Sequence, residues 1–137
     1  ASTLQHAVGR SLEGCRITAL GLTFKASTSD TRDSPALAAC RELSRRGAQV
    51  LGYDPRLHNI DPAELHDAGV TAVDEPYRAA KAADAIVLLT EWSQFADLDW
   101  RPIAREAPGA VVLDTRNLLD PATVRSAGLR YLGNGVA

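Results

Sequence analysis

Methionine is absent from the 137 residues, aromatic side chains make up only 5% of them, and cysteine occurs twice. With no methionine even at position 1, the chain is expected to be either trimmed at its start or a piece of a longer protein. No apolar run is longer than 85–89, far short of the ~20 residues that cross a bilayer as helix, so no membrane partner is expected. Cys15 and Cys40 stand 25 positions apart in apolar surroundings, which suits two reduced core thiols better than a disulfide or a Cys-x-x-Cys metal clip. His6, His58 and His66 share no metal-ligand spacing, so no metal is expected. A net charge of -2 supplies no field for wrapping nucleic acid. The N-terminal residues lack the apolar stretch and small-residue cleavage site of an export signal, and together with the reduced thiols this points to the cytoplasm.

What is present suits a folded domain: 45% hydrophobic and 23% charged residues, in a chain long enough for one sizeable core. Short apolar runs at 16–22, 48–53, 70–73, 84–90, 110–114 and 129–132, bounded by Gly, Pro or Asp, read as six strands. The stretches 85–89 and 111–113 are continuous rather than alternating, the mark of strands buried on both faces of a parallel sheet. Between the first two strands, Ser34 suits an N-cap and Pro35 the first helical position. Leu37, Cys40 and Leu43 follow at helical spacing, Arg45 and Arg46 complement the dipole, and Gly47 can close the helix. Further helices are predicted at 62–68, 76–83, 100–106 and 121–126. This alternation predicts a doubly wound α/β fold, a mainly parallel six-stranded Rossmann-like sheet in three layers. Residues 1–13 read as the tail of a linker helix and 14–137 as the domain.

In such a sheet the ligand crevice lies outside the carboxyl ends of the strands, where strand order reverses. The connection after the first strand, 21–35, is long and hydroxyl-rich, carries Lys25 and Arg32, and leads into a helix N-terminus. Amides, hydroxyls and two cations are what a phosphate or diphosphate requires. There is no G-x-G-x-x-G in this connection, and Gly133-Asn134-Gly135 has no helix behind it, so NAD is not expected to bind this domain in the usual Rossmann manner. Asp54, where such folds often hold a ribose hydroxyl, reads instead as a turn residue before Pro55, and Trp92 and Phe95 as packing residues. Arg116, at the end of the fifth strand, is a second candidate anion contact. Cys15 lies at the wrong end of the sheet and Cys40 within a helix, so neither is an activated nucleophile, and Ser34 and Ser93 have no recognisable base. A binding crevice without a reaction centre is expected.

The runs Gly21-Leu22-Thr23-Phe24-Lys25, Thr31-Arg32-Asp33-Ser34-Pro35-Ala36-Leu37, Gly47-Ala48 with Tyr53-Asp54-Pro55, Thr90-Glu91-Trp92 with Phe95, and Asp114-Thr115-Arg116-Asn117 occur in this order. Together, over 14–135, they closely resemble the C-terminal domain of the UDP-glucose/GDP-mannose dehydrogenase family. The resemblance implies an NAD-dependent nucleotide-sugar 6-dehydrogenase of the UDP-glucose to UDP-glucuronate type. It implies an N-terminal NAD domain with the catalytic cysteine, a central helix carrying a homodimer contact, and a C-terminal domain that closes over the nucleotide sugar. It also implies that Phe24, Lys25 and Arg116 contact the nucleotide sugar and that Arg32 reaches the NAD side. The sequence departs from the family pattern at Ala26-Ser27-Thr28-Ser29-Asp30, where Pro-Asn-Thr-Asp-Asp is frequent, and at Thr115, where glycine is frequent. The chain by itself is expected to fold but to be catalytically silent. Two other readings are a stand-alone receiver-type module and a structural domain that binds nothing. A receiver needs a clustered acidic pocket after the first strand and a lysine after the fifth, where this chain has Gly21-Leu22 and Arg116.

Overall fold

Pleating divides the continuous apolar runs between two cores, because successive side chains on a strand point to opposite faces. Ala85 and Val87 join one buried cluster and Ile86 and Leu88 the other, while Val111 and Val112 separate in the same way. The computed structural model describes residues 12–22, 35–57, 60–90, 92–115 and 118–133. Among these the chain order is β1 (Arg16–Leu20), α1 (Pro35–Arg45), β2 (Gln49–Tyr53), α2 (Pro62–Asp67), β3 (Val70–Ala72) and α3 (Pro76–Ala79). It continues through β4 (Ala85–Leu88), α4 (Ser93–Ala96), α5 (Trp100–Glu106), β5 (Val111–Asp114), α6 (Pro121–Ser126) and β6 (Arg130–Gly133). The strands form one sheet in the order β3-β2-β1-β4-β5-β6, and every neighbouring pair is parallel. Leu37, Cys40 and Leu43 of α1 and Leu65 of α2 cover one face. Phe95 of α4, Trp100 and Ile103 of α5 and Val124 of α6 cover the other, which completes the three expected layers.

Acidic side chains start four of the helices. Asp61, Glu75, Asp99 and Asp120 each accept a hydrogen bond from a first-turn amide of α2, α3, α5 and α6, satisfying donors that have no partner inside the helix. Proline follows three of these caps, as the sequence predicts. The N-cap expected at Ser34 lies outside the described residues. α1 ends in a Schellman motif: Gly47, at φ +91°, donates to Ser44 O at 3.0 Å and Ala48 donates to Leu43 O at 3.2 Å.

Two expectations change. The helix predicted over 76–83 stops at Ala79, because the amide of Ala82, at φ +61°, is taken by Glu106 O at 2.9 Å instead of continuing the ladder. The short helix α4 is missing from the sequence reading because Trp92, its N-cap, makes no side-chain capping bond that would have marked the start. Cys15 and Cys40 are free and buried, and burial pushes the Cys40 thiol up to about 12, which leaves almost none of it as reactive thiolate near neutrality.

Strand order reverses between β1 and β4, and there the two exits nearly touch. Gly21 leaves β1 at φ +98° with its amide on Tyr53 O at 2.8 Å, and a Cβ at this position would lie 2.6 Å from Thr90 Cβ and 2.7 Å from Thr90 N. Left-handed backbone and backbone contact together exclude any other residue. Gly21→Ala is therefore expected to destabilise the fold by about 2–4 kcal/mol, read as a lower urea midpoint at unchanged slope.

Candidate functional site

The carboxyl edge of the sheet is organised by two buried carboxylates, one on each side of the switch point. Asp54 follows β2 and is 1% exposed. Its Oδ1 accepts from Arg56 N at 2.7 Å, and its Oδ2 accepts from Leu22 N at 2.8 Å and from the Trp92 indole Nε1 at 3.2 Å. A carboxylate without water is costly unless such donors replace the solvent, and hydrogen bonds to a charged group contribute about 1.5–3 kcal/mol each. The bond to Arg56 N bears out the turn reading of Asp54. The bonds to Leu22 and Trp92 were not foreseen, since no local pattern shows which distant donors a turn aspartate will meet. With its oxygens directed at these inward donors, Asp54 does not offer a ribose the carboxylate that dinucleotide folds present here. The close approach of Gly21 to Thr90 likewise leaves no glycine-lined path for a pyrophosphate between β1 and β4. The described residues thus do not fit a nicotinamide dinucleotide in the usual crevice.

Asp114, at the end of β5, is fully buried, and its Oδ2 accepts from Leu119 N at 2.8 Å and from the Tyr131 hydroxyl at 2.9 Å. Thr115 donates through Oγ1 to Leu88 O at 2.5 Å, fastening the exit of β5 to that of β4. Among the described residues Ala82 alone has a positive φ without being glycine, so threonine carries no left-handed strain at 115, and its hydroxyl adds an anchor that the family's frequent glycine would lack. Phe95 is buried and meets the Tyr53 ring edge-on at 6.3 Å, and Trp92 is also buried, so both have the packing role predicted.

The four residues singled out from the sequence, Phe24, Lys25, Arg32 and Arg116, lie outside the described residues. The described residues that flank them are anchored: Leu22 on Asp54 before 23–34, and Thr115 and Leu119 on Leu88 and Asp114 around 116–117. Two grooves of about 630 and 480 Å³ are lined by described residues, the first beside Leu57, Ile60 and Val73, which follow β2 and β3, and the second between Trp100 and Thr123.

Tyr131 was also missed, because a tyrosine in a short apolar strand reads as core. Burial first, and then the hydrogen bond to Asp114, push its hydroxyl from 10.0 to about 12. A folded pKa above the unfolded one gives a contribution that is complete below about pH 10 and is lost as pH rises towards 12. Urea unfolding between pH 8 and 11 should therefore show stability falling above pH 10 more steeply in the wild type than in Tyr131→Phe. Equal slopes would mean that Tyr131 titrates normally.

Comparisons with known proteins agree on the origin of this arrangement. The family model described as "UDP-glucose/GDP-mannose dehydrogenase family, UDP binding domain" matches residues 18–121, which include Asp54 and Asp114. A UDP-glucose 6-dehydrogenase of Rhizobium meliloti (strain 1021) is 39% identical over 129 residues, covering 94% of this chain and 29% of that protein. The UDP-glucose 6-dehydrogenase of Rickettsia conorii is 36% identical over 124 residues, with 90% and 29% covered. A solved UDP-glucose dehydrogenase from Pyrobaculum islandicum superposes with a TM-score of 0.80 at 31% identity, over 99% of this chain and 28% of that one. The chain thus spans less than a third of the length of these relatives. It belongs to the UDP-glucose/GDP-mannose dehydrogenase family, in the part of it that forms the UDP binding domain.

Proposed function

We propose that this domain is the nucleotide-sugar wall of an NAD-dependent 6-dehydrogenase that converts UDP-glucose to UDP-glucuronate or performs the same oxidation on a related nucleotide sugar. The observation that carries the reading is the family match over 18–121, within which both cation-bearing connections leave anchored strand ends at the carboxyl edge. In this reading Lys25 and Arg116 neutralise the diphosphate, Phe24 packs against the nucleotide sugar, and Arg32 reaches the cofactor across the domain interface. Residues 1–13 lead in from a preceding NAD domain, with Leu12 and Glu13 already in a turn rather than the helix expected there, and 14–137 form the nucleotide-sugar domain. That partner domain supplies the dinucleotide fingerprint and the catalytic thiol, which agrees with the poor fit of a dinucleotide to the crevice described here. The complete enzyme is a homodimer of the cytoplasm. Among the described residues no helix is long and apolar enough to cross a membrane.

Replacing Lys25 or Arg116 by alanine in the full-length enzyme is expected to weaken nucleotide-sugar binding by about 1.5–3 kcal/mol, roughly ten- to hundredfold, as isothermal titration would show. Arg32→Ala should raise the apparent constant for NAD more than that for the nucleotide sugar, and the reverse order would contradict the assignment.

The 137-residue chain alone should melt cooperatively. UDP at millimolar concentration should raise its melting temperature slightly, with the shift shrinking as salt screens the cations. NADH production from a nucleotide sugar by this chain alone would refute the division of labour.

A further inference from the structure

One carboxylate joins three segments that leave the ligand edge of the sheet separately. Asp54 accepts from Leu22 N after β1, from Arg56 N after β2 and from Trp92 Nε1 after β4. The first of these bonds is made by the last described residue before the connection 23–34, so it fixes the point at which that connection begins. The bond to Trp92 ties the same point to the strand across the switch point, and Gly21 N on Tyr53 O extends the β1–β2 ladder up to it. Movement at the exit of either β1 or β4 therefore has to break a bond to a side chain that water scarcely reaches.

We propose that Asp54 is a positioning residue for nucleotide-sugar binding. It acts on the ligand indirectly: through Leu22 it fixes the point from which the connection that carries Lys25 departs. The inference rests on the function proposed above, in which that connection contacts the nucleotide sugar. A side chain that only stabilised the fold would lower the melting temperature and leave the substrate constants of the folded protein alone. A positioning residue shifts one substrate constant selectively.

The substitution Asp54→Asn separates these outcomes. It keeps size and shape, but the amide has one acceptor oxygen for donors that approach from two sides, so it can serve either Arg56 N or the pair Leu22 N and Trp92 Nε1, and its NH2 opposes the other. In the full-length enzyme, assayed well below its melting temperature, this variant should raise KM for UDP-glucose at least tenfold. KM for NAD should stay within twofold and kcat within threefold. Trp92→Phe, which removes the indole donor and leaves the Leu22 bond, should raise the same KM about threefold, again without moving that for NAD.

An unchanged UDP-glucose KM in folded Asp54→Asn overturns the proposal, as does a parallel rise in both substrate constants. If Asp54→Asn does not fold, Trp92→Phe decides alone, and an unchanged UDP-glucose KM overturns the proposal in that case too. Lys25→Ala is assayed alongside. If it raises the UDP-glucose KM while Asp54→Asn does not, the positioning role fails and the proposed function stands. If neither variant changes it, the proposed function fails and takes the inference with it.

Discussion

A carboxylate removed from water has to be solvated by the protein, and at this sheet edge that requirement fixes where the chain leaves four of its strands. Asp54 satisfies it with Leu22, Arg56 and Trp92, and Asp114 satisfies it with Leu119 and Tyr131. Leaving one such oxygen without its donor costs more than the bond contributes when made, so the exits of β1, β2, β4 and β5 are held more firmly than their exposure to the edge would suggest. The pattern is economical in residue types. One aspartate follows β2 and one ends β5, and each reaches segments far away in sequence. Thr115 on Leu88 O adds a neutral link between β4 and β5, so the exits flanking the switch point are fastened to their neighbours.

The two helical layers serve this edge by keeping the strands dry. Ile17 and Ala19 pack beneath α1, and Leu20, Ile86 and Leu88 face the layer of Phe95, Trp100 and Ile103, so side chains on both faces shut out water that would compete with the inter-strand hydrogen bonds. Thr18 is the polar exception among them, and its hydroxyl is satisfied by Ala79 O at 2.6 Å. Sparse aromatics suit such packing. The sheet is lined largely by alanine, valine and leucine, and the few large rings gather on the face that carries α4 and α5.

The fold could be read from the sequence because its determinants are local. Continuous runs such as 85–89 and 111–113 can be satisfied only by burial on both faces, and proline after an acidic residue at 61–62, 75–76 and 120–121 marks a helix start with a cap already in place. The helix over 76–83 was overextended because its end is set by a tertiary bond, Ala82 N to Glu106 O, which no local pattern carries. The same limit applied at the candidate site. Asp54 before Pro55 announces a turn, and it makes one through Arg56, but its grip on Leu22 and Trp92 exists only after β1 and β4 have become neighbours of each other. Tyr131 was invisible for the same reason, since its partner Asp114 is a strand away.

Strand order and ligand position need not go together. The order β3-β2-β1-β4-β5-β6 is that of a dinucleotide-binding sheet, whose crevice at the β1/β4 switch depends on glycines that let a pyrophosphate approach the backbone and on an acidic residue turned outward to a ribose. Here Thr90 fills the space beside the single glycine, and the acidic residue turns inward. Both changes convert a ligand contact into an internal one, and they strengthen the exits at the expense of the crevice. Under the proposed function an anion at this edge is met by the connections that start from the anchored ends. Under the proposed function those connections hold the nucleotide sugar, and the dinucleotide needs a second sheet that has kept its glycines. On that reading, the division into a cofactor domain and a nucleotide-sugar domain accords with what Asp54 and Thr90 already occupy.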